Sequence, residues 1–384
     1  TDIAEVIGAA IALYLLFDIP LIIAVFITVF DVLLLLLLTK VGFRKIEAIV
    51  VCLIFVILFV FVYQVALSNP DWGGVFKGLI PTSETFAKHP VVHDMSPLNG
   101  ALGIIGATVM PHNLYLHSAI SQTRKFDRNN EDDIANAVRF TAWDSNIQLG
   151  LAFVVNSLLL IMGVAVFKSG AVEDPSFFGL YQALSDTSVM SNGLLAAAAR
   201  TGILSTLFAV ALLASGQNST ITGTLTGQVI MEGFIHLRMP LWARRLITRL
   251  LSVIPVLICV ALTSGKSTIE EHEALNNLMN NSQVFLAFAL PFSMLPLVIM
   301  TGSKVEMGER FKNRLWINIL GWISVISLTY LNMIGLPQNL EPFFPADKVG
   351  LAHTVAYILI VLIIALLIWT LVELHLGNKR FAAE

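Results

Sequence analysis

Ten apolar stretches, most of them about 20 residues or longer, fix what this 384-residue sequence can fold into. They run over roughly 1–17, 19–39, 43–68, 97–123, 133–167, 199–235, 240–263, 274–303, 314–336 and 351–374. A hydrocarbon layer about 30 Å thick is crossed by about 20 consecutive apolar residues in a helix. Lipid offers no partner to an unpaired backbone N–H or C=O, so stretches of this length are predicted to be helical. A transmembrane β-barrel would instead show short segments of alternating polarity, and the sequence has none. Charged residues make up only 13%, about half the share of a soluble domain, which fits a chain whose apolar surface is taken up by a bilayer. The expectation is an all-α membrane protein with about ten transmembrane helices and a single transmembrane domain over 1–384.

Charge placement supports the count. With the turn at Lys40, Arg44 and Lys45 placed in the cytoplasm and the sides alternating from there, 17 of the 23 Lys and Arg fall on the cytoplasmic side. That is the bias of the positive-inside rule, and it puts both ends of this chain inside. Three outer loops, 69–96, 168–192 and 337–350, are rich in Pro, Ser, Asp and Gly and are expected to form short surface structure. The opening lacks the basic, apolar and small-residue sequence of a signal peptide. Its first apolar stretch, Ile3 to Phe17, is shorter than a span, so we expect a helix cut at its start and a chain that is a fragment. Cys52 and Cys259 both lie in apolar runs, which argues against a disulfide framework or a thiolate metal site. A net charge of −3 gives no reason to expect a nucleic-acid partner.

The most informative stretch is Pro97-Leu-Asn-Gly100-Ala-Leu-Gly103-Ile-Ile-Gly106-Ala107-Thr-Val-Met110-Pro111-His112-Asn113. Proline has no N–H and its ring presses on the carbonyl four residues earlier, here Ala107. With three glycines upstream, a helix break near 107–111 is expected. In a bilayer such a break survives only where the freed carbonyls face protein or a water-filled cavity, and discontinuous helices build the midplane sites of many transporters. Two donors meet there, the Ala107 carbonyl oxygen and the Met110 thioether. Oxygen alone suits magnesium or calcium, whereas a thioether favours softer transition metals. A simple proline kink with Met110 as flexible packing is the competing reading.

Other polar groups sit at membrane depth. Asp2 and Glu5, three residues apart, share one helical face in an apolar stretch, where charge usually marks an ion or proton route; solvation at the interface is the alternative. His112 and His117 suit a proton relay, since histidine titrates near physiological pH, or hydrogen bonds in a helix contact; their spacing puts them on different faces and argues against a two-histidine zinc site. The small and hydroxyl residues of 215–228 suit close helix packing, with a lining role open to Gln217 or Asn218. Gln283 opens an apolar run interrupted by Pro291 and Pro296 and suggests a cavity-facing amide. Asp31 is an isolated acid without an assignment. Arg249, one turn beyond Arg245, is explained by snorkelling to the inner interface.

Three stretches together resemble the natural resistance-associated macrophage protein (NRAMP) family of proton-coupled divalent metal transporters, in its prokaryotic form. They are Thr1-Asp-Ile-Ala-Glu-Val-Ile-Gly8, Met110-Pro-His-Asn-Leu-Tyr-Leu-His117-Ser-Ala and Gly216-Gln-Asn-Ser-Thr-Ile-Thr-Gly-Thr-Leu-Thr-Gly-Gln-Val-Ile-Met-Glu-Gly-Phe234. Asn218 stands where the family commonly has serine. The resemblance implies a LeuT-type inverted-repeat fold carrying family helices 3 to 12. It assigns 1–68 to the remainder of the first repeat, 97–303 to the second, and 314–374 to two further helices. It implies a metal site at Ala107, Met110 and Gln283, and a proton route through Asp2, Glu5, His112, His117 and Arg249. The family's Asp-Pro-Gly-Asn motif does not occur in this sequence, so the chain by itself is expected to bind metal weakly and not to transport, and the parent chain to extend upstream by two helices.

The implied function is import of divalent transition metals (manganese, iron(II), cobalt or cadmium) as substrate, coupled to protons, with no cofactor. The setting is a bacterial plasma membrane and the expected state is a monomer. A magnesium-preferring relative is the nearest rival, and Met110 argues against it. A cation channel would give uncoupled conductance, and an amino-acid transporter would share the fold. No nucleophile–base set, hydrolase motif or cofactor fingerprint supports an enzyme.

Overall fold

The computed structural model describes residues 2–30, 43–68, 70–87, 96–122, 125–127, 129–167, 174, 176–185, 200–231, 233 and 241–381. These residues are helical with connecting turns and no strand. Five helices among them are long and apolar enough to cross a membrane. The segment expected at 97–123 is two short helices, and 31–42 lies outside the described residues. The chain divides into two compact units, Thr1–Ile80 with Ser121–Met279, and Pro81–Ile120 with Asn280–Glu384.

In the first unit, α1 (Asp2–Phe17) ends at Asp18, which takes a positive φ of 55°, and Pro20 then opens α2 (Leu21–Val29). A left-handed residue followed by proline is a common way to stop a helix, because the ring cannot continue it. After α3 (Phe43–Ser68) and the short α4 (Trp72–Lys77) the chain leaves this unit. It returns in α7 (Glu131–Phe167), whose first turn carries Glu131, Asp132 and Asp133 against the positive end of the helix dipole. At 37 residues, α7 is about 55 Å long and overshoots the hydrocarbon layer. The short α8 (Phe177–Ser185) lies in the outer-loop region expected to hold surface structure. It is followed by α9 (Ile203–Ile230) and α10 (Leu241–Thr263). α1 packs on α2, α9 and α10, and α3 packs on α7 and α9. Val6, Ile7, Ala10, Leu21, Val25, Val253, Val256 and Leu275 form one apolar core.

The second unit holds α5 (Pro97–Thr108), α6 (Pro111–Ser121), the later part of α11 (Thr268–Gly302), α12 (Lys304–Phe311), α13 (Leu315–Leu340) and α14 (Val349–Phe381). Ser96 caps α5, its Oγ accepting from the Asn99 N–H at 3.3 Å, with Pro97 in the first turn. Such a start satisfies one of the free N–H groups and uses proline where no donor is needed. Leu98 and Leu102 pack with Val284 of α11. α11 begins six residues earlier than its apolar run and continues through Pro291 and Pro296, which its neighbours tolerate without ending the helix. In the short helix α12, Glu309 accepts from Lys304 at 2.7 Å and Lys312 at 2.6 Å, and these bonds hold its carboxyl down at about 2.

Candidate metal and proton sites

The break expected from Pro111 is present. α5 stops at Thr108, where Val109 leaves helical geometry with φ −100° and ψ 43°, and α6 restarts at Pro111. The local bonds account for this ending. Val109 N–H still reaches the Ile105 carbonyl at 2.9 Å, and the Thr108 hydroxyl folds back on the Ile104 carbonyl at 2.7 Å. In a continuous helix the Ala107 carbonyl would accept from residue 111, and proline has no N–H to give. The Met110 carbonyl instead starts the next helix, accepting from the Asn113 N–H at 3.0 Å. Ala107 is exposed and Met110 half-buried.

Two glycines bring α11 to this break. A Cβ on Gly106 would collide with the backbone carbonyl of Gln283, and one on Gly103 would meet the Asn280 side chain. α5 therefore lies on α11 with backbone against backbone, one residue before Ala107. Gln283 is 6% exposed. Its Nε2 donates to the Ser282 hydroxyl at 3.2 Å, while its Oε1 is buried with no hydrogen-bond partner among the described residues. An unpaired buried acceptor is costly and calls for an explanation by an absent donor or cation. Farther along, the Tyr115 and Ser293 hydroxyls share a 3.1 Å hydrogen bond that ties α6 to α11. Asn332 of α13 donates to the Ala287 carbonyl at 2.7 Å.

The remaining sequence-selected residues are divided between the units. His112, half-buried, and His117, exposed, both stand on α6 in the second unit. Asp2, Glu5 and Arg249 stand in the first. Glu5 is 6% exposed and accepts from the Ser219 hydroxyl of α9 at 2.7 Å. A Cβ on Gly223 would touch Asp2 Oδ1 and Glu5 Oε1, each at 3.3 Å, so both acids converge on one turn of α9. Glu5 is therefore not simply solvated at an interface. Gly216 lies against Ala9 and the Glu5 carbonyl. The hydroxyl-rich tract thus packs α9 on α1 and also supplies a donor to the acid. Asp2 and Arg249 are the charged neighbours of Glu5.

Arg249 departs from the snorkelling expectation. It is 3% exposed and its Nε donates to the Thr28 carbonyl of α2 at 3.2 Å. Thr28 is fully buried, its own hydroxyl bonded to the Val25 carbonyl at 2.7 Å. A buried guanidinium is retained when its donors find acceptors, and this backbone oxygen is one. Asp31 and the Asn218 side chain lie outside the described residues. The sequence reading missed Ser219, Thr28 and Tyr115, which are ordinary polar residues until a neighbouring helix brings a charged or hydroxyl partner.

A family model described as natural resistance-associated macrophage protein-like matches residues 1–338. The divalent metal cation transporter MntH of Levilactobacillus brevis is 56% identical over 333 residues, 87% of this chain and 69% of that protein. The protein of the same name from Staphylococcus aureus is 50% identical over 342 residues, 89% of this chain and 72% of that one. Among solved structures, the manganese transporter of Eremococcus coleocola, in complex with an aromatic bis-isothiourea substituted compound, matches with a TM-score of 0.89 at 63% identity. That match covers 99% of this chain and 77% of the other. The all-α, multi-pass membrane fold expected from the sequence is the fold these relatives share with it. With so much of its length matched and at this identity, the chain belongs to the natural resistance-associated macrophage protein family.

Proposed function

We propose that this protein is a secondary active transporter importing divalent transition-metal ions such as manganese, iron(II), cobalt and cadmium, coupled to protons. The reading places it in a bacterial plasma membrane as a monomer, with both ends of this chain cytoplasmic and the metal as substrate rather than cofactor. It keeps the division into repeats at 1–68 and 97–303 with two further helices at 314–374. It gives the protein no catalytic chemistry and no nucleic-acid partner.

One observation carries the proposal: the chain interrupts a helix where Pro111 denies the Ala107 carbonyl its donor, next to Met110 in sequence, and α11, whose backbone packs on Gly106 at Gln283, carries a buried amide oxygen there that has no hydrogen-bond partner among the described residues. A carbonyl, a thioether and an amide oxygen form a neutral set of mixed softness. Such a set favours manganese, iron(II) and cadmium over strongly hydrated magnesium, which gains little from sulfur. Asp2, Glu5, Arg249, His112 and His117 are the proposed proton route. Names of relatives that transport divalent metal support the same reading.

Met110→Ala tests it. In a liposome flux assay of the full-length protein, the variant should lose at least about tenfold in manganese preference over calcium or magnesium, equivalent to about 1.4 kcal/mol. Met110→Leu separates ligation from packing, because it restores the bulk and not the sulfur. Leucine behaving like alanine supports ligation. Unchanged competition in both variants would refute it.

A further inference from the structure

We propose that His272 and Asp174 form a proton-binding clamp in the first unit, separate from the proposed proton route, whose imidazolium form holds α8 down on the ends of α1 and α11. The clamp is built from three pieces of chain meeting on one buried ring. His272, 8% exposed, stands in the first turns of α11. Its Nδ1 is 3.4 Å from Asp174 Oδ2. The Phe178 ring of α8 stacks on the imidazole with centroids 3.4 Å apart and planes 2° from parallel. Tyr14, at the end of α1, presents an edge to both, 5.6 Å from Phe178 and 6.4 Å from His272.

The short chain before α8 is organised around the same acid. Asp174 Oδ1 accepts from the Ser176 N–H at 3.1 Å, and Ser176 Oγ accepts from the N–H groups of Phe178 at 3.2 Å and Gly179 at 3.4 Å. Whatever holds Asp174 therefore holds the start of α8. A nine-residue helix has little stability of its own and depends on its contacts.

The charge state of the imidazole sets the strength of the contact. An imidazolium attracts the Asp174 carboxylate and the π face of Phe178; a neutral ring keeps at most one neutral–charged hydrogen bond. Burial works to raise the Asp174 carboxyl, and the bonds from His272 and Ser176 overcome it and hold it below the ordinary carboxylate range. Asp174 thus stays charged throughout the range in which histidines titrate. Its contribution is present above its lowered value and lost only in stronger acid. The charge-assisted part of the contact exists only while the imidazole carries its second proton.

The other titratable groups around the ring are few among the described residues. Tyr14 faces it from α1. Glu271 and Glu273 flank it on α11 and project to other faces of that helix, and Cys259 of α10 lies in the field of Glu271. Under the proposed topology this end of α1 faces outside, where pH varies. The clamp itself does not require the metal assignment.

Hydrogen–deuterium exchange over 176–185 in the metal-free, full-length protein tests the proposal. After correction for intrinsic rates, these amides should exchange about tenfold more slowly near pH 5.5 than near pH 8. His272→Gln keeps a donor without a titratable charge and should remove that difference. Asp174→Asn keeps the histidine and its contact with Phe178 and should shrink the difference severalfold, which guards against one variant failing to fold. Protection independent of pH in the wild type, a pH difference persisting in His272→Gln, or an undiminished one in Asp174→Asn would overturn the clamp. Because no metal is present, neither outcome bears on the transport reading.

Discussion

Gly106→Val is expected to abolish metal uptake and to lower the thermal midpoint in detergent by roughly 5 °C or more. The side chain added at this position points into the Gln283 backbone carbonyl, and a helix backbone has no rotamer by which to escape. Overpacking commonly costs about 1–3 kcal/mol, and a backbone contact falls at or above the top of that range. Relief comes only by moving α5 off α11, which displaces the end of α5 that carries the proposed metal donor Ala107. Gly103→Ala provides the contrast. Its Cβ meets the end of the Asn280 side chain, which can rotate away, so most stability and transport should survive. Equal damage from the two substitutions would show that helix packing in general, rather than the position of the break, is what matters.

Glu5→Gln should leave the fold intact and cut proton movement by roughly 100-fold, the scale on which a positioned proton-transfer group contributes. Glutamine still accepts the Ser219 hydroxyl hydrogen bond and fills the same space between α1 and α9, but it cannot take up and release a proton. Wild-type proteoliposomes should acidify inside as manganese enters; the variant should show manganese binding with little luminal pH change. A channel would conduct without acidification in the wild type. Full acidification by the variant would remove Glu5 from the proton route.

Residues whose role depends on the chain's own covalent chemistry were legible in the sequence. Pro111 cannot donate to Ala107 in any tertiary setting, so the break was readable before the fold was known. The length of the apolar runs located the described helices for a similar reason, since it too is written in the chain itself. Roles that depend on contact between distant helices were not legible. Arg249 looked like an interfacial cation because sequence spacing does not show that α2 supplies the Thr28 carbonyl. Gly106 read as a helix weakener near a break, and only the crossing with α11 shows that it admits the Gln283 backbone. His272 lies in a charged opening turn before an apolar run, where nothing in sequence distinguishes it from a solvated surface residue. The boundary of α11 was misplaced because Glu270, Glu271 and Glu273 break the apolar pattern without breaking the helix.

Anomalous scattering from manganese soaked into crystals of the full-length protein tests the central claim most directly. The peak should lie within bonding distance of the Ala107 carbonyl oxygen and the Met110 sulfur, with the Gln283 amide oxygen turned toward it. An ion bound elsewhere, with those two atoms unoccupied, would contradict the account.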